Sequence, residues 1–328
     1  MPGWGEILAE INATVIPGTA GPPDVDGVRM KYLRQLATLT GNTTVIYVTD
    51  TQTGGPQTII DQSDMIGLME VFRGQRTDQL DLILHSAGGQ AEACDRLVGY
   101  MRSKFKYVRV FVPLQAMSAA TMWAMAADEI VMGNHSQVGP IDPQIGLPSG
   151  INIPAGALTA QFKEASDQCA EDPSRLTGWL PTLQQYPPGI LNVCENAADL
   201  AKTLVEQWLT TYMLKNRRHR AKIAKTAAEW LADHKVHLSH GRAITREQLL
   251  EKKLVVTALE DDQALQDAVL SVSHAVNHTF NISPSAVKLI ENQEGRRFVR
   301  HGGQQIMVNP ALIPMPSPPA TPPAPPNP

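Results

Sequence analysis

Between about residues 43 and 145 the chain alternates between two hydrophobic periods, and that alternation limits its fold more than any other feature. TTVIYVTD is β-branched and aromatic and reads as a strand. IIDQSDMIGLMEVFRG has helical spacing, LDLIL reads as a strand and QAEACDRLVGYMRSKF as a helix. YVRVFVP, SAATMWAMAADE and EIVMG continue as strand, helix and strand. Strands separated by single helices at such short spacing must run parallel, with the helices covering the sheet. The spacing therefore predicts an α/β fold built on a parallel sheet.

The flanking regions read differently. Trp4 to Ile11 has the spacing of a short amphipathic helix, and VRMKYLRQLATLTGN predicts a helix over 28–42, stopped by Gly41-Asn42. Residues 146–195 are rich in Pro and Gly around one helical stretch, ALTAQFKEASDQCAED, and from Ala197 to Ala232 the pattern is helical and increasingly basic. Thr245 and Gln248 have the spacing of a capping box, and ALQDAVLSVSHAVNHTF predicts one further helix. Ten of the last nineteen residues are proline, which cannot build a packed core and implies an extended tail. Such a tail also suits a proline-recognising partner.

Composition narrows the function classes. At 328 residues a sizeable core is affordable, and 43% apolar with 18% charged residues is ordinary for a soluble globular protein. A net charge of −4 favours neither nucleic acid nor an anionic membrane as partner. The basic run KNRRHRAKIAK (215–225) is followed by Glu229 and Asp233 and reads as a solvated helix face. No apolar run approaches a membrane span, and the first residues carry no basic leader. Cys94, Cys169 and Cys194 form no C-x-x-C pair, so a reducing, cytoplasmic setting without disulfides or structural zinc is expected. His234, His237 and His240 are spaced by three, but no fourth ligand accompanies them, and a connecting loop with a structural histidine is expected there.

Two strand exits stand out. LDLIL runs into His85-Ser86-Ala87-Gly88-Gly89 and then a helix. A glycine pair there either makes a tight turn or lets something negative approach the backbone at the helix N-terminus. About thirty residues on, the next strand ends in Met117-Ser118-Ala119-Ala120. Ser118 reads either as an N-cap or as a nucleophile presented at the carboxyl end of a parallel strand. His85 and Ser86, beside the glycines, read either as pocket-lining or as buried polar groups.

Gly88-Gly89, Met117-Ser118-Ala119-Ala120 and AADEIVMGNHSQVGPID (126–142), in this order and spacing, resemble the ClpP/crotonase superfamily, most closely its SppA branch. SHGRAITREQLLEKKLV (239–255) is similar to that branch's closing segment, GPIDPQ (139–144) and IENQEG (290–295) are similar to the serine dehydrogenase proteinase family of SppA-like proteins, and the resemblance covers about residues 30–300. It implies a ClpP-like spiral of ββα units with C-terminal helical segments. The chain is accordingly expected to divide into an N-terminal helical arm at 1–42, a catalytic domain at 43–300 with a helical insertion at about 146–238, and a proline-rich tail at 301–328. The activity implied is that of a serine peptidase acting on peptides, as a homo-oligomer and without a cofactor. Ser118 would be the nucleophile, and the Gly89 and Ala119 N–H groups the oxyanion donors. SppA enzymes take a lysine as general base, and Lys163 stands where it is expected, although its stretch also reads as a solvated helix face. Where ClpP has a histidine this chain reads GPIDP, with Asp142 at that place and His135 nearby. Gly88, His85, Ser86, His135 and Asp142 are the expected substrate-side residues. The rival readings are a crotonase-type acyl-CoA enzyme using the same oxyanion hole, and a non-catalytic scaffold. No G-x-G-x-x-G or nicotinamide pattern supports the word dehydrogenase.

Overall fold

The computed structural model describes residues 3–16, 21–75, 77–147, 150–283 and 285–302. Two helices come first, α1 (Trp4–Ala13) and α2 (Val25–Thr40), the second ended by Gly41 in the left-handed conformation (φ 72°). The alternation then follows: β1 (Thr43–Thr49), α3 (Asp64–Val71), β2 (Gln79–His85), α4 (Ala91–Lys104), β3 (Tyr107–Val112), the short β4 (Gln115–Ala116), α5 (Ala119–Met125) and β5 (Glu129–Met132). Three short strands succeed it, β6 (Gln137–Val138), β7 (Gln144–Gly146) and β8 (Asn152–Pro154). Next come the helices α6 (Ala155–Glu171), α7 (Leu176–Leu183), α8 (Ile190–Thr211), α9 (Arg220–Ala232), α10 (His234–His237) and α11 (Arg246–Glu251). The described chain closes with β9 (Val256–Ala258), α12 (Gln263–Ile282), β10 (Ala286–Asn292) and β11 (Arg297–His301).

One sheet organises the molecule, in the order β11-β10-β1-β2-β3-β5-β9. From β1 to β9 all neighbours are parallel, as the alternation requires, while β10 joins β1 and β11 joins β10 antiparallel. Side chains alternate between faces. Val45, Tyr47, Leu82, Leu84, Val110 and Met132 point into the larger core, with Trp123 of α5, Leu97 of α4 and Val205 of α8. Ile46, Val48, Ile83, Phe111 and Val131 point the other way, onto Leu33 of α2 and Val272 of α12. Both faces are covered, which is why the strands read as nearly continuous apolar runs. The architecture is mixed α/β, with strands and helices alternating through the parallel part of the sheet.

The insertion region has its own small apolar cluster, Ala155, Leu158 and Cys194, with Phe162 and Tyr186 packed against it. Thr245 and Gln248 form the expected capping box at α11. The proline-rich tail lies outside the described residues, apart from His301 and Gly302 at its start. Among the described residues, no helix is long and apolar enough to cross a membrane.

Candidate active site

Past the carboxyl end of the sheet, four short segments lie side by side. Ser86 bridges Ala116 in parallel, Ala116 pairs with Val138 in parallel, and Val138 pairs with Ile244 antiparallel. The hydrogen bonds are regular: Ser86 N–H to Gln115 O at 3.1 Å, Met117 N–H to Ser86 O at 2.9 Å, and Val138 N–H to Ile244 O at 3.1 Å. The candidate residues emerge from this ladder.

Gly88 and Gly89 follow its first segment, and each has a steric reason to be glycine. Gly88 has φ 102°, and a Cβ there would fall 2.5 Å from the Met117 carbonyl oxygen and 2.7 Å from Ser118 Cβ. A Cβ on Gly89 would overlap the backbone of Ile60, which is stitched to this turn by Ile60 N–H to Gly88 O (2.8 Å) and Gln90 N–H to Ile60 O (2.9 Å). The glycine turn is thus pressed directly against the serine turn. Ser86 is buried, and its hydroxyl accepts the Gly88 N–H at 3.1 Å, so it shapes the turn from within.

Ser118 follows the second segment. Its backbone is at φ 53°, ψ −121°, a conformation that costs a non-glycine residue about 1–3 kcal/mol and persists only where its surroundings impose it. It is the N-cap residue of α5, yet its side chain makes no capping hydrogen bond, so the hydroxyl is not engaged as a cap. It stays half-buried while every residue of α5 is buried. One side chain holds both flanks of the turn: the Thr121 hydroxyl donates to Ala116 O (2.7 Å) and accepts the Gly139 N–H (2.9 Å). Neither the Gly89 nor the Ala119 N–H takes part in the turn's backbone hydrogen bonds, and the Ala119 nitrogen lies against Gly88.

Lys163 lies on the solvent face of α6, with a side chain 75% exposed and paired with Asp167 at 2.7 Å. Among the described residues, no hydrogen bond joins it to Ser118. His135 is exposed, its ring packed over Gly133. With His85, Asp50, Gln115 and Asn277 it lines a cavity of about 540 Å3 whose lining does not include Ser118. Burial pushes the His85 imidazole down from its ordinary 6.5 to about 4, the Asp50 carboxylate opposing only in part.

Asp142 is buried, and both its oxygens are engaged: Oδ1 with His240 Nδ1 at 2.8 Å, Oδ2 with Gln144 Nε2 at 2.8 Å. This pairing was not expected from sequence, where His240 stood as one of three evenly spaced histidines. The three diverge: His237 Nε2 meets Trp230 O at 2.8 Å, His234 packs on Gly156, and His240 turns to Asp142.

Residues 57–175 match the family of ClpP-like SDH-type serine proteinases, a segment containing Gly88, Gly89, Ser118, Asp142 and Lys163 but not His240. An uncharacterized protein of Methanocaldococcus jannaschii is 27% identical over 199 residues, 56% of this chain and 68% of its own length. A second uncharacterized protein of that organism is 31% identical over 93 residues, 28% of this chain and only 30% of its own. Among solved structures, a membrane-bound stomatin-specific protease in complex with a substrate peptide superposes with a TM-score of 0.33 at 20% identity, over 55% of this chain and 61% of that one. Another structure of that protease gives a TM-score of 0.37 at 16% identity, over 65% of this chain and 77% of that one. Through residues 57–175 the chain is thus similar to a family of ClpP-like serine proteinases, and that similarity places it among proteins of the serine-type peptidase class.

Proposed function

We propose that the protein cleaves peptides through an acyl-enzyme on Ser118, with the Gly89 and Ala119 N–H groups receiving the oxyanion. One observation carries this reading. Ser118 holds a strained, positive-φ backbone at a strand-to-helix turn, and its hydroxyl is not engaged as the cap. Strain of this kind is a common property of nucleophile-bearing turns. The packing of the glycine turn against the serine turn supports it, since backbone N–H groups from both would then border the carbon that Ser118 Oγ attacks. Residues 43–300 would form the catalytic body, a spiral of ββα units with 146–238 inserted, working as a homo-oligomer on peptide substrates.

The test is labelling with a fluorophosphonate probe followed by peptide mapping. Wild type should be labelled on Ser118, and Ser118→Ala should lose the label without losing its fold. A folded wild-type protein that takes no label would overturn the reading and favour acyl-CoA chemistry or a scaffold role.

A further inference from the structure

We propose that His240 is the general base for Ser118 and that Asp142 is its positioning residue. This rests on the reading of Ser118 as nucleophile.

The ladder supplies the first argument. Ser118 lies two residues beyond Ala116, the last residue of β4, whose parallel partner on β6 is Val138. Asp142 lies four residues beyond Val138 on that neighbouring segment. On the fourth segment the direction reverses, because Val138 and Ile244 pair antiparallel. Residues past Val138 and residues before Ile244 thus share one end of the ladder, where Asp142 and His240 meet at 2.8 Å. The glycine pair, Ser118, Asp142 and His240 thus all leave the ladder on one side. The third segment also touches the serine turn directly, since a Cβ on Gly139 would fall 3.5 Å from Met117 Cα.

The second argument is chemical. A carboxylate only accepts hydrogen bonds, so the Nδ1 facing Asp142 carries a proton, and in the neutral ring Nε2 is the nitrogen with the free lone pair. The Asp142 side chain is 4% exposed and that of His240 28%, so a fixed carboxylate stands behind a ring whose far edge reaches solvent. Among the described residues, no lysine or arginine pairs with Asp142, which leaves its charge to His240 and Gln144. Lys163, by contrast, is in solvent and ion-paired, whereas a lysine base has to be desolvated to give up its proton.

In the step itself, Ser118 Oγ bonds to the substrate carbonyl carbon while its proton passes to His240 Nε2. The carbonyl π pair moves onto oxygen. Collapse breaks the C–N bond, and the leaving amine takes the proton from Nε2. Water then attacks the acyl carbon, giving a proton to Nε2, which returns it to Ser118 Oγ as the acid departs.

The experiment measures the rate of fluorophosphonate labelling at Ser118 in the full chain, with melting temperature followed in every variant. His240→Ala should label at least about 100-fold more slowly, and added imidazole should restore part of the rate. His240→Gln, which can still bond Asp142, should be equally slow if the alanine variant fails to fold. Asp142→Asn should slow labelling in the wild-type background but not further in the His240→Ala background, a pattern that a merely structural role does not give. Lys163→Ala should stay within about twofold of wild type. Wild-type labelling rates in a folded His240 variant, or a loss confined to Lys163→Ala, would overturn the base assignment and leave Ser118 as nucleophile. Absence of label on wild-type Ser118 would overturn both.

Discussion

At the scale of single residues, the site is held by what glycine lacks. A methyl group on Gly88 would press on the Met117 carbonyl and Ser118 Cβ from a backbone already at φ 102°. Gly88→Ala should therefore destabilise the protein by about 1–3 kcal/mol and lower labelling of Ser118 as well, read from urea unfolding beside probe kinetics. A loss of stability with unchanged labelling would mean that the two turns are not in register. His85 gives a second residue-scale prediction. Its imidazole titrates near 4 when folded and near 6.5 when free, so between those values the unfolded chain binds a proton that the folded one refuses. The stability linked to it is fully present above about pH 6.5 and lost as pH falls towards 4, by up to about 3 kcal/mol. Urea midpoints from pH 7 to pH 4 should fall more steeply for wild type than for His85→Gln.

At the scale of elements, buried ion pairs fasten the antiparallel edge to the parallel sheet. Lys288 of β10 and Asp64 of α3 meet at 2.6 Å with both side chains fully buried, and Asp64 also accepts the Tyr47 hydroxyl of β1 at 2.6 Å. Lys288→Met would strand the carboxylate and should cost about 3–5 kcal/mol, part of which Asp64→Asn in the same chain should return, measured by thermal unfolding. The same chemistry explains what sequence could and could not disclose. The parallel strands β1, β2, β3 and β5 were legible because both their faces are apolar, whereas the short, half-buried β9 at their edge was not read. β10 was not, because AVKLIEN places Lys288, Glu291 and Asn292 in the core, where Asp64, Arg29 and the Val71 carbonyl satisfy them. Those partners are more than two hundred residues away, and no local pattern announces them. The glycine turn and Ser118 were legible for the opposite reason, since their geometry is written in neighbouring residues. Asp142 and His240 lie 98 residues apart, and only the pairing of Val138 with Ile244 brings them together.

At the scale of the molecule, stability is unevenly spread. The central strands are buried on both faces, whereas α7 has no buried residue and α6 only Ala155, Leu158 and Ala165. Amide exchange in residues 156–186 should be orders of magnitude faster than in β1, β2 and β3, and equal protection would refute a separately opening insertion. The serine turn belongs with the rigid part. Because the Thr121 hydroxyl joins Ala116 to Gly139, the segment leading to Asp142 and the turn carrying Ser118 are tied directly to each other. Reactivity and local order there should consequently melt as one cooperative event, with probe labelling and exchange protection of residues 137–142 sharing a midpoint. Thr121→Val, similar in size but unable to make either bond, should pull the two midpoints apart.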